Sequence, residues 1–339
     1  MTASGDRPIV ALAMGDPAGI SPELTARLLA SSAVATAARL LVIGDRRVLD
    51  RGARTAGTEV VVDAIGEGEM PGPEAARPAF LDLGNLDPGE VEMGQPTPAG
   101  GIFATQNFAA ALRFAKAGNV HAVCFTPFNK RAMRYAYPGY DDEIRFIADV
   151  IGFTGRAREF NVLDQIWNAR VTSHMPLADV PRHITREAIL AELELTFATL
   201  SHAGIAEPRV AVAGLNPHAG DGGSFGREEI EIIGPAIAEA NRRGMAVEGP
   251  FPPDTVFLTA LKHGFHVVLT MYHDQGQIAM KLMGFDRGVT MIGGLPFPVC
   301  TPAHGTAYDI ADRGIADVGA SEQAVLLAAR LARANAKAA

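Results

Sequence analysis

The chain has little cysteine, no excess of positive charge, no long apolar run and no dinucleotide glycine signature. Each absence removes a class of protein. Cys124 and Cys300 are the only cysteines, too few for a disulfide framework and suited to a reducing cytoplasm. Cys124 lies in the apolar run 122–125 and reads as a packing thiol rather than a nucleophile. Thirty Lys and Arg against 38 Asp and Glu give a formal charge of −8, the opposite of the phosphate-neutralising surface of a nucleic-acid binder. No stretch approaches the roughly 20 apolar residues of a membrane span, and residues 1–8 carry no basic-then-apolar leader. The expectation is a soluble cytoplasmic protein with no nucleic-acid and no membrane partner.

What is present is an α/β pattern. The 339 residues, 48% hydrophobic and 20% charged, exceed the roughly 250–300 that one core organises, so about two lobes are expected. Residues 9–13 read as a strand buried on both faces. Ser21 reads as the cap and Pro22 as the first turn of a helix reaching about Ser31. Further strands are expected at 40–44, 59–62, near Phe80, and at 122–126, 160–163, 169–172, 210–213 and 267–271. Helices are expected over about 98–117, 143–151, 185–202, 227–242, 277–283 and 321–336, with 64–100 a long irregular connection. Strands alternating with helices imply a largely parallel sheet.

The turn after the first strand is Gly15-Asp16-Pro17-Ala18-Gly19-Ile20. It fails the G-x-G-x-x-G pattern, but a rigid turn at a strand's carboxyl end is where α/β sheets bind ligands. A second loop, 214–226, holds five glycines and His218 in thirteen residues, a density that lets backbone approach a ligand. Three of the nine histidines share one context: His174, His218 and His273 each follow an expected strand. Carboxyl ends of parallel strands face one edge, so the three can converge on a metal with positions left open for substrate; the alternative is three independent polar residues. Imidazole favours zinc or a similar ion. Asp254 and Asp274 are candidate carboxylates beside it. Lys281 lies eight residues beyond His273, about two helical turns, as a candidate acid, base or carboxylate holder, or else a solvated surface lysine. The remaining histidines, His121, His183, His202, His263 and His266 among them, read as surface positions.

Four segments together carry a resemblance: Gly15-Asp16-Pro17-Ala18-Gly19-Ile20, Asn216-Pro217-His218-Ala219-Gly220, Tyr272-His273-Asp274-Gln275-Gly276 and His304-Gly305-Thr306-Ala307. In this order, over nearly the whole chain, they resemble the 4-hydroxythreonine-4-phosphate dehydrogenase family of vitamin B6 synthesis. The last is also similar to the adenosine loop of isopropylmalate and isocitrate dehydrogenases. The resemblance implies two α/β/α lobes of the isocitrate/isopropylmalate dehydrogenase type. Residues 1–125 with 290–339 would form the cofactor-side lobe, and 126–289 the metal, substrate and dimerisation lobe. It implies a homodimer with a shared active site, and a divalent metal (Zn, Mg, Mn or Co) held by His174, His218 and His273, one of them donated across the dimer. It also implies NAD or NADP lined by His304, Gly305, Thr306, Ala307 and Asp309, and a small hydroxy-acid substrate that is oxidised and decarboxylated. Lys281 and Asp254 are the catalytic candidates, and Lys281 also contacts substrate.

Departures bear on the substrate. Where the family carries a His-Thr pair, this chain has Asp141 and Asp142; an asparagine appears as Thr290 and an arginine as Val299. Losing an arginine fork and gaining carboxylates weakens phosphate binding, by about 1.5–3 kcal/mol for each lost charged hydrogen bond. A non-phosphorylated substrate, such as a cis-dihydrodiol carboxylate, is therefore the alternative. A ligand-binding relative without catalysis, and an isomerase or aldolase using the same metal without nicotinamide, are the other readings.

Overall fold

The strand Ile9–Ala13, β1, is buried at every position, as a strand covered on both faces must be. In chain order the others are β2 (Arg39–Gly44), β3 (Asp63–Ile65), β4 (Ala79–Asp82), β5 (Ala122–Phe125), β6 (Arg158–Leu163), β7 (Ile166–Arg170), β8 (Arg209–Ala213), β9 (Ala246–Phe251), β10 (Val267–Thr270), β11 (Val289–Gly293) and β12 (Val299–Pro302). They come from a computed structural model that describes residues 7–66, 68–72 and 75–338. The chain divides into two units, Met1–Gly155 with Val289–Ala339, and Arg156–Gly288. Residues 126–155, assigned by sequence to the second lobe, cluster with the first unit.

In the first unit the strand order is β3-β4-β2-β1-β5-β12-β11. Every pairing is parallel except β11 against β12. The helices Pro98–Lys116 and Gly319–Ala338 both pack on β1 and β5. In the second unit the order is β6-β7-β10-β8-β9, with β6 and β7 an antiparallel hairpin and the rest parallel. The helices Val256–His263 and His273–Gly284 share one apolar cluster with that sheet, through Val256, Phe257, Ala260 and Met280 against Ala211 and Val268. This is the α/β class with a mainly parallel sheet that the alternating pattern predicts.

Several boundaries differ from expectation for local reasons. The strand expected at 59–62 forms instead as β3, because pairing begins where Asp63 N–H meets Pro78 O at 2.9 Å. Ser21 does not cap its helix; its hydroxyl accepts from Gly15 N at 2.8 Å and lies 2.5 Å from Thr126 Oγ1. The helix expected from 227 opens with a π-turn, Glu229–Ile233, before Gly234–Arg242. The short helix expected near 277 begins at His273 itself. The helix Arg46–Ala56 is so charged that only Val48, Leu49 and Gly52 are buried, too thin an apolar stripe to read by period.

Candidate active site

In the second unit β7, β10, β8 and β9 lie side by side and parallel, so their carboxyl ends share an edge at spacings of about 4.8 Å. His174 follows β7, His273 follows β10, His218 follows β8 and Asp254 follows β9. The rings of His174 and His273 come together, their centroids 5.5 Å apart. His273 starts its helix, and its Nδ1 lies 2.6 Å from Asp274 Oδ1, the partner that fixes a ligating imidazole's orientation. His218 stands on the neighbouring loop with Phe225 at 6.1 Å between centroids. Among the described residues no three His, Cys, Asp or Glu side chains group as a metal site. The fold thus joins two of the expected histidines and leaves the third on the adjacent strand's loop. Asp254 and Lys281 are exposed, and Lys281 sits about 12 Å along the helix from His273.

Two of these histidines occupy unusual backbone. His174 has φ of 40°, and His218 begins a left-handed run with Ala219, Gly220, Asp221 and Gly222 at φ of 54°, 53°, 81°, 44° and 62°. Non-glycine residues pay about 1–2 kcal/mol each for this conformation, so their surroundings must hold them. Ser173, beside His174, accepts from Arg170 Nε at 3.0 Å. Arg170 is itself buried and bonded to Asn161 and Glu159 at 2.5 Å each. Gln275 accepts from Met271 N at 2.7 Å and donates to Gly214 O at 2.8 Å, tying the segment before His273 to the start of the His218 loop. Buried Glu229 accepts from Leu215 N and Asn216 N, both at 2.8 Å. Burial pushes its carboxyl up, but the N–H groups and side chain of Asn216, with Leu215 N–H, bring it below the ordinary range.

The first unit builds a different edge. The segment 304–310 lies over the turn after β1. Ile20 N donates to Thr306 O at 3.0 Å, and a Cβ on Gly19 would stand 2.5 Å from that oxygen, so the close approach requires glycine. Tyr308 donates to Asp16 Oδ2 at 2.5 Å, while Asp16 Oδ1 accepts from Ala18 N at 2.9 Å. Burial drives the Asp16 carboxyl above its ordinary value against the pull of Tyr308. Ala307 is left-handed at φ of 45°. Gly305 is exposed, with open space where a Cβ would stand and no left-handed backbone; nothing in the protein itself requires glycine there. His304 and Ala307 are half-buried, Thr306 buried and Asp309 exposed.

The expected substrate contacts other than Lys281 are dispersed within this unit. Thr290 lies on β11 opposite Thr301. Asp141 is 3.5 Å from Arg145 Nη1. Asp142 caps the helix Glu143–Ile151, accepting from Arg145 N at 3.0 Å, a structural task that its type and position announce. Glu229, Gln275, Arg170 and Tyr308 escape sequence reasoning as site residues. Glu229 has one visible signal, a carboxylate opening a helix directly after a glycine-rich loop.

Comparison with known proteins identifies the family and the fold. Residues 36–328 match the family model described as pyridoxal phosphate biosynthetic protein PdxA. The chain belongs to that family. It is 66% identical over 96% of its length, and 94% of the relative's, to a Rhizobium meliloti protein named "Putative 4-hydroxythreonine-4-phosphate dehydrogenase 2". Among solved structures, the 4-hydroxythreonine-4-phosphate dehydrogenase of Klebsiella pneumoniae superposes with a TM-score of 0.83 at 32% identity, covering 98% of this chain and 100% of that one. A terephthalate 1,2-cis-dihydrodiol dehydrogenase from Burkholderia xenovorans follows with a TM-score of 0.62 at 30% identity, covering 93% and 95%. No helix among the described residues is long and apolar enough to cross a membrane.

Proposed function

We propose that this PdxA-family chain is a metal-dependent, NAD(P)-linked dehydrogenase that oxidises a hydroxy acid with loss of carbon dioxide, acting on 4-hydroxythreonine 4-phosphate or a close analogue. The observation that carries this reading is the approach of His174 to His273 at the ends of adjacent parallel strands, with His218 and Asp254 following the next two strands on the same edge. Imidazole donors suit zinc or cobalt, and with carboxylate and water also manganese or magnesium. His174, His218 and His273 would hold the ion, Asp274 orienting His273 through Nδ1. When bound, the ion supplies polarisation of the substrate's hydroxyl oxygen and of the carbonyl that oxidation creates. Asp254 takes the hydroxyl proton, and Lys281 holds a carboxylate and returns a proton to carbon after carbon dioxide leaves. His304, Gly305, Thr306, Ala307 and Asp309 line the nicotinamide cofactor. The open space at Gly305 supports this, since it leaves room for a flat ring at the backbone.

The same reading makes the protein a homodimer with a shared active site. Its support is twofold. Among the described residues of one chain the histidines do not complete a three-donor group. Leu258 and Leu261 on one helix, and Ile278 and Leu282 on its neighbour, are exposed apolar side chains, Leu282 at 84%, of the kind that association covers. Pairwise mixing of the inactive variants His174→Ala, His218→Ala and His273→Ala tests it: if one histidine crosses the dimer, the mixtures that include its variant regain activity, whereas self-contained sites stay dead in every mixture.

Asp141 and Asp142 favour a second substrate reading, a non-phosphorylated diol or hydroxy acid, because carboxylates oppose a phosphate dianion. Cofactor reduction decides between them. Initial rates with NAD and NADP, with zinc, cobalt, manganese or magnesium, are measured on 4-hydroxythreonine 4-phosphate and on a cis-dihydrodiol carboxylate. Reduction with the first supports the principal reading. Reduction with only the second moves the assignment to the alternative, and no reduction with either, whatever ion is added, overturns the dehydrogenase.

A further inference from the structure

Among the described residues the His218 loop holds the longest left-handed run, and one side chain outside it touches it at its start and centre. Glu229 is buried, at 4% exposure. Its Oε1 receives two backbone N–H groups at the loop's start, from Leu215 and Asn216. Its Oε2 receives Asn216 Nδ2 at 3.0 Å, and the neighbouring Glu228 receives the same nitrogen at 2.7 Å. The carboxylate also fills the space beside the loop's centre: a Cβ on Gly220 would lie 2.7 Å from Glu229 Oε2 and 3.0 Å from Gly226 O. Local turns alone supply few other holds, among them Ala219 N to Asn216 O at 3.1 Å and Phe225 N to Gly220 O at 3.2 Å. Glu229 begins a π-turn, an irregularity that recurs where a helix must place one side chain against a site.

We propose that Glu229 is the positioning residue of His218: by gathering the N–H groups at the loop's start and occupying the hollow beside Gly220, it holds the left-handed run that presents the imidazole at the sheet edge. Glu229 makes no contact with the ring, so its effect on any ion passes through the loop. The functional consequence rests on His218 donating to an ion, but the hold on the loop does not.

Glu229→Ala and Glu229→Gln separate the two. Hydrogen exchange on ion-free protein reads the loop directly, because amide protection reports local opening. In Glu229→Ala the peptides covering 214–226 should exchange about tenfold faster or more, while those covering β1 and β5 stay as in the wild type. Titration with Co2+, followed by its visible absorption, should show affinity weakened by at least about tenfold, the range of a lost outer-shell support, with an altered band shape. Glu229→Gln keeps an acceptor for Leu215 and Asn216, and should recover most of the protection and the band shape. Should Glu229→Ala fail to fold, Asn216→Ala removes one accepted donor with the same signs and a smaller size. Unchanged exchange over 214–226 in Glu229→Ala, or wild-type Co2+ affinity and spectrum in a variant whose loop has loosened, overturns the proposal. Wild-type protein that binds no Co2+ overturns the ion reading instead, and the exchange data then decide the role of Glu229 alone.

Discussion

His121, just before β5, accepts the N–H of Ile9 at 3.0 Å, and its own N–H meets Ile9 O at 2.9 Å. In the second unit His266, just before β10, does the same to Arg209 at 3.1 and 2.9 Å. The amino-terminal strand edges in the two units are thus bonded by one device, built from histidines that sequence reading assigns to the surface. The carboxyl-terminal edges diverge. The first unit places the buried Asp16 carboxyl, bonded to the half-buried Tyr308 phenol, beneath a loop with an exposed glycine. The second places imidazoles on left-handed backbone held by Glu229 and Gln275. The amino-terminal edges are alike in how they bond the strands, and the carboxyl-terminal edges differ in the side chains they gather.

Breaking the second edge should have the largest effect. His273→Ala should lower ion affinity and turnover by more than about 100-fold, beyond what an outer-shell loss costs. Its counterpart, His304→Ala, should raise KM for the cofactor and leave ion binding intact; calorimetric titration with each ligand checks both. Asp274→Ala, which frees His273 Nδ1, should weaken the ion by about 10–100-fold, visible in the same titrations. Tyr308→Phe should raise KM for the cofactor about fivefold, the net worth of one hydrogen bond, with ion affinity unchanged. A loss of ion affinity in this variant would erase the distinction between the edges.

Stability against pH sharpens the comparison, with opposite signs for the two carboxylates. The Asp16 pKa is raised, first by burial. Its contribution is full below the ordinary value of 3.8 and is lost as pH climbs through the folded value. The Glu229 pKa is lowered, so its contribution is present above the ordinary 4.5 and is lost as pH falls through the folded value. Denaturation midpoints across pH should therefore show Asp16→Asn flattening the decline on the upper side and Glu229→Gln flattening it on the acid side. The smallest expected effect is at the shared edge: His121→Ala and His266→Ala should each cost about 1 kcal/mol, the net worth of a neutral hydrogen bond, and by similar amounts in urea titrations.

The α/β class and most strands of both units were legible because buried parallel strands leave continuous apolar runs, as at 9–13 and 210–213. The short edge strand β3 and the antiparallel β11 leave no such run. The positions of His174, His218 and His273 after their strands were legible for the same reason. Side-chain direction was not: sequence spacing says which edge a residue reaches, whereas φ at His174 and the hold of Glu229 on its loop decide where the ring points. Asp142 teaches the converse. An acidic residue read as a substrate contact is also a good helix cap, and Asp142 serves as that cap.

Gln275 joins the segment leading to His273 with the backbone from which the His218 loop departs. The two arms therefore drift together rather than separately. Much of the disorder that chelation would otherwise remove has already been removed when the chain folds. Capture of a cation by this edge should then run at the pace at which the cation sheds its own water, with little waiting for the arms to find one another.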